Sequence, residues 1–492
     1  MEHQFKNNGY NIVLDVNTSS VHVVDDLVYD ILELYQTEDK DEIVRRMVAK
    51  YDDSTIVEQL GYEVDEATVL EALEEIGELV EEGVLFTEEN YRPQVETFKA
   101  RPTVVKAMCL HVAHDCNLAC KYCFAEEGEY KGRRAIMSYE VGKAALDFLV
   151  ANSGNRRNLE VDFFGGEPLM NWEVVKQLVA YGRELEKTHD KKFRFTVTTN
   201  GVLLDEEKMD FINREMYNVV LSLDGRKAVN DRMRPFRGGQ GSYDLITPKH
   251  RKMAASREGK SYYVRGTFTR YNLDFYEDIL HFADLGFDQI SIEPVVAPET
   301  EDYALREEDL PVIFEQYDKL AAEMVRRKKE EGKCFTFFHF MIDLSGGPCV
   351  YKRAAGCGSG TEYVAVTPWG DIYPCHQFVG EEDWLLGNVF EGIRRDDIVQ
   401  KFKGINVYTK EECQNCFAKF FCSGGCAANA YHYAGDIGGV YDLGCRMQRK
   451  RVECALMIKA AEGEIAETAA VCGADCADTC EADCEETAMP VC

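Results

Sequence analysis

"HDCNLACKYCF" (residues 114–124) sets Cys116, Cys120 and Cys123 within eight positions, spaced C-x3-C-x2-C. A structural zinc site draws four ligands, usually as two C-x2–4-C pairs. A cubane iron–sulfur cluster has four irons and normally takes four thiolates. Three thiolates on one loop therefore leave one iron open to a chelating small molecule, unless the three are simply buried or zinc-bound. The loop follows an apolar run, "AMCLHVA" (107–113), that reads as a strand.

From there strand and helix patterns alternate to about residue 332. Further strand candidates are "LEVDFF" (159–164), "FRFTVTT" (193–199), "NVVLSL" (218–223), "YYVRGTFT" (262–269) and "DQISIEPV" (288–295). Amphipathic helices such as "YEVGKAALDFLVAN" (139–152) and "FYEDILHFADLG" (275–286) lie between them. Six βα units predict an α/β fold with a parallel sheet. Right-handed crossovers curl such a sheet into a partial (β/α)6 TIM-type barrel. Chemistry then belongs at the C-terminal ends of the strands. Those ends carry "GGEP" (165–168), "TTNG" (198–201), "SLDG" (222–225) and "EPV" (293–295), with Arg265 on the fifth strand.

The cysteine motif with its aromatic, "CNLACKYC" (116–123), resembles the signature of the radical S-adenosylmethionine (SAM) superfamily. The resemblance implies that SAM holds the fourth iron through its amino and carboxylate groups, and that an electron passed to its sulfonium yields a 5′-deoxyadenosyl radical. It also implies that Gly165, Gly166, Glu167 and Pro168 meet the SAM amino group through backbone oxygen, where glycine permits close approach. Thr199, Asn200, Ser222 and Asp224 become polar cavity groups. Arg265 becomes the fork that pairs with the SAM carboxylate, or else a surface ion pair. Val295 is expected on adenine. Tyr122 and Phe124 are expected beside the cluster or the adenine, or in the plain core.

A second cysteine system follows. Cys357 and Cys375 precede Cys413, Cys416, Cys422 and Cys426, spaced C-x2-C-x5-C-x3-C, and Cys445 ends the set. Thiolates suit zinc as well as iron, so two zinc sites in a ribbon-like domain are the alternative. The pattern resembles the SPASM extension of radical SAM peptide maturases, which binds two auxiliary [4Fe–4S] clusters and brings the total to three. That implies Cys413, Cys416, Cys422 and Cys445 on the outer cluster, and Cys357, Cys375 and Cys426 on the inner one. The fourth inner position belongs to Cys349 or, by preference, to a substrate thiolate. Cys109, Cys334 and Cys454 read as ordinary buried thiols, and His376 as a candidate base.

Ahead of this lies a unit spanning 1–98. "YNIVLDV" (10–16) and "SVHVVDD" (20–26) form a hairpin pattern, followed by three helical patterns, a short strand "VLFT" (84–87) and a linker "RPQVETFKARP" (92–102). The unit resembles a RiPP recognition element, the winged-helix module that binds a leader peptide as an added strand. The expected division is a leader-binding unit at 1–98, the barrel at 99–332, the SPASM domain at 333–455 and an acidic tail at 456–492. In that tail Cys472, Cys476, Cys480 and Cys484 recur every four residues, with Cys492 beyond. The tail's pattern resembles the cysteine-rich core of a SCIFF substrate.

The whole layout resembles the thioether-forming maturase of SCIFF peptides. Its implied partners are a Cys-rich precursor peptide with a leader and an electron donor such as flavodoxin or ferredoxin. Formylglycine formation, as in anaerobic sulfatase maturases, and a non-catalytic iron–sulfur scaffold are the competing readings. A net charge of −31 argues against nucleic acid. No run of eighteen apolar residues argues for a membrane span. The N-terminus lacks the regions of a signal peptide, so the expected location is the cytoplasm, where nineteen cysteines point to metal or thiol chemistry rather than disulfides.

Overall fold

The computed structural model describes residues 1–492 except 53–61, 101, 132, 345–349 and 472–492. Cys349 and the five tail cysteines therefore lie outside the described residues.

The front unit is a three-stranded antiparallel sheet, β1 (Glu2–Asn7), β2 (Tyr10–Asp15) and β3 (Val21–Val24), in the order β1-β2-β3. Helices α1 (Asp26–Leu34), α2 (Lys40–Lys50) and α3 (Glu66–Glu81) follow. Each begins at an aspartate, Asp25, Asp39 or Asp65, whose carboxylate accepts from the N–H three residues on. Val13, Leu27, Ile31, Ile43, Met47, Val69 and Ile76 form a core separate from the main one. Strand β1 was not foreseen in the sequence. "VLFT" is not a strand: Leu85 is buried there, but the segment is a turn closing α3, with Phe86 at φ 54°. Nor is residues 92–99 a linker. It is helix α4 (Arg92–Lys99), whose start is held by Glu89 accepting from the N–H groups of Tyr91 and Arg92. Its proline sits in the first turn, where a missing N–H costs nothing.

The central sheet carries parallel strands β4 (Ala107–His114), β6 (Asn158–Gly165), β7 (Lys192–Thr199), β8 (Asn218–Ser222), β9 (Tyr263–Phe268) and β10 (Gln289–Pro294) as successive neighbours. The short β5 (Ala135–Ile136) pairs antiparallel with β4. Helices α5 (Tyr139–Asn152), α6 (Trp172–Thr188), α7 (Glu206–Glu215), α8 (Lys227–Met233), α9 (Tyr243–Ala255) and α10 (Phe275–Asp284) lie between the parallel strands, and α11 (Leu310–Glu331) follows β10. Strands β6 and β7 alternate: Leu159, Val161, Phe163, Phe193, Phe195 and Val197 are buried on the helix side. Their intervening residues, including Asp162, Phe164, Thr196 and Thr198, face the lumen and are half-buried.

Among the described residues the sheet does not close. A two-residue strand, β11 (Thr336–Phe337), extends it beyond β10. On the other side β12 (Tyr363–Val366) pairs parallel to β4, followed by β13 (Asp371–Tyr373), β14 (Gly387–Asn388) and β15 (Gly392–Ile393). The C-terminal cysteine region is thus built onto the barrel's own sheet. The last helix among the described residues, α12 (Asp442–Val471), is about 45 Å long at 1.5 Å per residue. It packs along α11 and across the front sheet.

Candidate active site

The cysteine loop leaves β4 and is pinned to the segment after α8: Ala119 N–H donates to the Pro235 carbonyl and Lys121 N–H to Met233, each at 2.9 Å. The end of β6 closes over it. Gly166 N–H donates to Ala113 O at 2.8 Å and Glu167 N–H to Asp115 O at 2.9 Å. Gly165, at φ 126°, lies so close to Ala113 O that a Cβ would stand 2.1 Å away. Only glycine fits both that backbone conformation and that approach.

Glu167 is fully buried and acts as a brace. Its carboxylate accepts from Leu169 N–H at 3.0 Å, Asn200 N–H at 2.8 Å and the Thr199 hydroxyl at 2.8 Å. Burial pushes its pKa up to about 6, against those hydrogen bonds. Thr199 is thereby turned to Glu167, while Asn200 Nδ2 donates to Cys116 Sγ at 3.5 Å and to Asn117 Oδ1 at 2.8 Å. Pro168 is buried at the start of the turn that leads to α6.

Tyr122 donates to Asp224 at 2.6 Å and accepts from Arg234 at 2.9 Å; Asp224 also accepts from Thr267 N–H at 3.1 Å. Asp224 and Arg234 are both buried, and Arg234 lowers the Cys120 thiol against the burial that raises it. Sequence reading missed Arg234, and also His250, whose imidazole sits under Gly201 and is held neutral by burial. Lone charged residues leave no periodic signal; only Arg234's place shortly after the "SLDG" strand end could have flagged it.

Ser222 stands opposite Arg265 in register. Arg265 is half-exposed to the lumen, 3.8 Å from Glu293. Glu293 in turn meets His339 at 3.3 Å. Val295 is buried, its N–H bonded to Phe268 O at 2.9 Å. Phe124 is exposed on the rim, and its ring lies 5.5 Å from that of His376.

The cysteines gather in three places. Cys116 lies near Cys120 and Cys123, and burial pushes its thiol up to about 12. Cys375 lies near Cys426 and Cys357 and is raised well above the usual thiol range. Cys422 lies near Cys445, Cys413 and Cys416 and is pushed up to about 12. Among the described residues the cysteines are free of disulfides, and no three His, Cys, Asp or Glu side chains converge on a single metal ion. Thiols this desolvated keep their protons unless a metal displaces them. The donors that reach Cys116 Sγ, Leu118 N–H and Asn200 Nδ2 both at 3.5 Å, suit a thiolate. The residues of the first gathering therefore fit an iron–sulfur cluster. Cys109 and Cys454 are buried and Cys334 is half-buried.

Residues 105–244 match a family described as a 4Fe-4S single cluster domain. Over 341 residues the chain is 22% identical to the radical SAM cyclopropyl synthase TigE of Paramaledivibacter caminithermalis, covering 65% of this chain and 68% of that one. Over 334 residues it is 23% identical to a cysteine-type anaerobic sulfatase-maturating enzyme of Clostridium novyi, covering 64% and 86%. The structure of anSMEcpe with bound AdoMet and Cp18Cys peptide superposes with a TM-score of 0.59 at 18% identity, over 73% of this chain and 99% of that one. SuiB of Streptococcus suis bound to S-adenosylmethionine superposes at 0.51 and 16% identity, over 88% and 95%. In fold, in its cysteine loop and in the relatives it matches, the chain is similar to radical SAM maturases.

Proposed function

We propose that this chain installs thioether bridges between cysteine sulfur and carbon in a ribosomally made, Cys-rich precursor peptide, using three [4Fe–4S] clusters and SAM. When bound, these cofactors supply a 5′-deoxyadenosyl radical that removes one hydrogen atom from a substrate carbon, and an acceptor for one surplus electron. The chain's residues hold and shield. Cys116, Cys120 and Cys123 would hold the first cluster; Gly165, Gly166 and Arg265 would orient SAM, with Val295 and Phe124 at its adenine end. Cys413, Cys416, Cys422 and Cys445 would hold the outer cluster.

The observation that carries the reading is the Cys375 gathering's place beside the barrel lumen. Cys413, Cys416 and Cys445 gather around Cys422, and among the described residues Cys357 and Cys426 gather around Cys375, which lies beside the lumen residues Cys109 and Tyr363. Cys357, Cys375 and Cys426 would hold the inner cluster, and a substrate sulfur, rather than Cys349, would take its fourth iron, which would help release the sulfur's proton. The front unit supports a peptide substrate: β3 is an edge strand, able to accept a leader as a further strand.

The test is anaerobic incubation of reconstituted protein with SAM, a reductant and a synthetic Cys-rich peptide carrying a leader, followed by tandem mass spectrometry. A loss of two hydrogens per bridge, with one 5′-deoxyadenosine formed each time, is expected. Cysteine converted to formylglycine, sulfur lost and oxygen gained, overturns the reading in favour of a sulfatase-maturase activity. No 5′-deoxyadenosine at all overturns both.

A further inference from the structure

Asp162 lies on the lumen face of β6, two residues before Phe164 and three before Gly165. At about 3.3 Å per residue it sits about 10 Å below the rim. Phe164, on the same face, holds the His376 ring at 5.3 Å, and that ring meets Phe124, next to Cys123. On the neighbouring strand Asp162 is in register with Cys109. Cys109 and Asp162 both act on Tyr363, which lies near Cys375 and whose hydroxyl is 3.3 Å from His376 Nδ1. The carboxyl thus stands between the two cysteine gatherings that face the lumen.

Its surroundings are sparse. Thr198 Oγ1 donates to Asp162 Oδ1 at 3.3 Å. The other titratable groups that act on it are Cys109 on β4, Tyr363 on β12 and Arg265 on β9. No ion pair engages it among the described residues. It is half-buried, open to the lumen. Glu293, by contrast, is engaged by His339 and Arg265, and Glu167 is consumed by its three donors.

The geometry points to Asp162 as the proton acceptor for the substrate thiol, an assignment that rests on the thioether reading above. The peptide's S–H bond breaks with its proton passing to the Asp162 carboxylate. The peptide's C–H bond breaks with its hydrogen atom passing to the deoxyadenosyl radical. The C–S bond forms between the remaining carbon radical and the thiolate, and the one electron in excess passes to an oxidised iron–sulfur centre. Burial supports the role by pushing the Asp162 carboxyl up to about 7, where it accepts a proton and releases it again near neutrality.

Asp162→Asn keeps the shape and removes the acceptor. The ratio of bridged peptide to 5′-deoxyadenosine should fall by about 100-fold or more, the usual weight of a general base. Asp162→Glu should restore part of it. Infrared titration of the protein, with no turnover, should show a protonated carboxyl band that disappears with a midpoint near neutrality and is missing from Asp162→Asn. Iron and sulfide contents, measured alongside, check that the variant folds and loads. Wild-type coupling in Asp162→Asn overturns the assignment, as does a titration identical in the two proteins. Wild-type protein that cleaves SAM but forms no bridge overturns the thioether reading instead.

Discussion

Replacing Gly166 by alanine adds one methyl group where the GGEP turn lies against the backbone that carries Cys116. The new Cβ would stand 2.2 Å from the Asp115 carbonyl oxygen, 2.6 Å from its carbon and 3.0 Å from Gly128 Cα. Ordinary contact begins at 3.4 Å, so the methyl is about 1.2 Å short of room. All three neighbours are backbone atoms, and no side chain can swing aside. Asp115 has to move, and Cys116 moves with it. Overpacking of this kind costs about 1–3 kcal/mol, and a displacement of about 1 Å at a reacting centre costs about 100-fold in rate. The assay pairs SAM cleavage with the change that SAM produces in the electron paramagnetic resonance of the reduced cluster. Hydrogen exchange over residues 107–116 reports the local loosening, which a single melting temperature would blur in a chain this large. Gly463→Ala is the control: it lies inside α12 with nothing within 4 Å, and alanine there should be neutral or stabilise by up to about 1 kcal/mol. Wild-type cleavage and an unshifted spectrum in Gly166→Ala would refute the close approach of turn and loop.

Other outcomes follow from single buried groups. Glu167 is raised from 4.5 to about 6 on folding, so the folded state holds its proton longer than the unfolded chain. Its contribution to stability is therefore most favourable below pH 4.5 and falls by about 2 kcal/mol as pH rises to 6; denaturant midpoints across that window should lose this slope in Glu167→Gln. Arg451 is buried, donates to the Tyr317 hydroxyl at 2.9 Å and lies near Cys422. Arg451→Gln removes a buried positive charge, and the potential of the cluster proposed at Cys422 should move to more negative values in a potentiometric titration; an unchanged potential contradicts that placement. Chelating iron from the protein should leave the Cys422 gathering as neutral thiols and raise hydrogen exchange over residues 405–445, with little change in α1 to α3, whose core is separate.

The barrel was legible because each of its strands is a local run of apolar residues ending in a glycine-rich or polar motif. The cysteine gatherings were legible from spacing. What escaped was decided far away along the chain. Tyr363–Val366 is only four residues long and becomes a strand by pairing with β4, some 250 residues earlier. "VLFT" has a strand's composition, yet Gly83 and Val84 donate back to Val80 and Leu79 as the cap of a helix, and the apolar residues are buried as a turn. "RPQVETFKARP" looks like a linker because it holds two prolines; one falls in a helical first turn and the helix forms. Asp162 was in plain view inside "LEVDFF". Its parity, opposite to Leu159, Val161 and Phe163, put it on the lumen face, and a charged residue at that parity was the available signal.

Helix α12 begins beside the thiol gathering at Cys445 and, about two to five turns on, lies under the first strands of the chain. His3 meets Glu453 at 3.0 Å and the Tyr10 hydroxyl meets Glu464 at 2.8 Å. The first and last described segments are thus stitched along one rod, with Arg451 partway. A one-residue insertion between Cys445 and Glu453 would rotate everything beyond it by about 100° and aim both glutamates away from the front sheet. Metal loading proposed at one extremity and peptide capture proposed at the other would therefore be mechanically continuous through that rod.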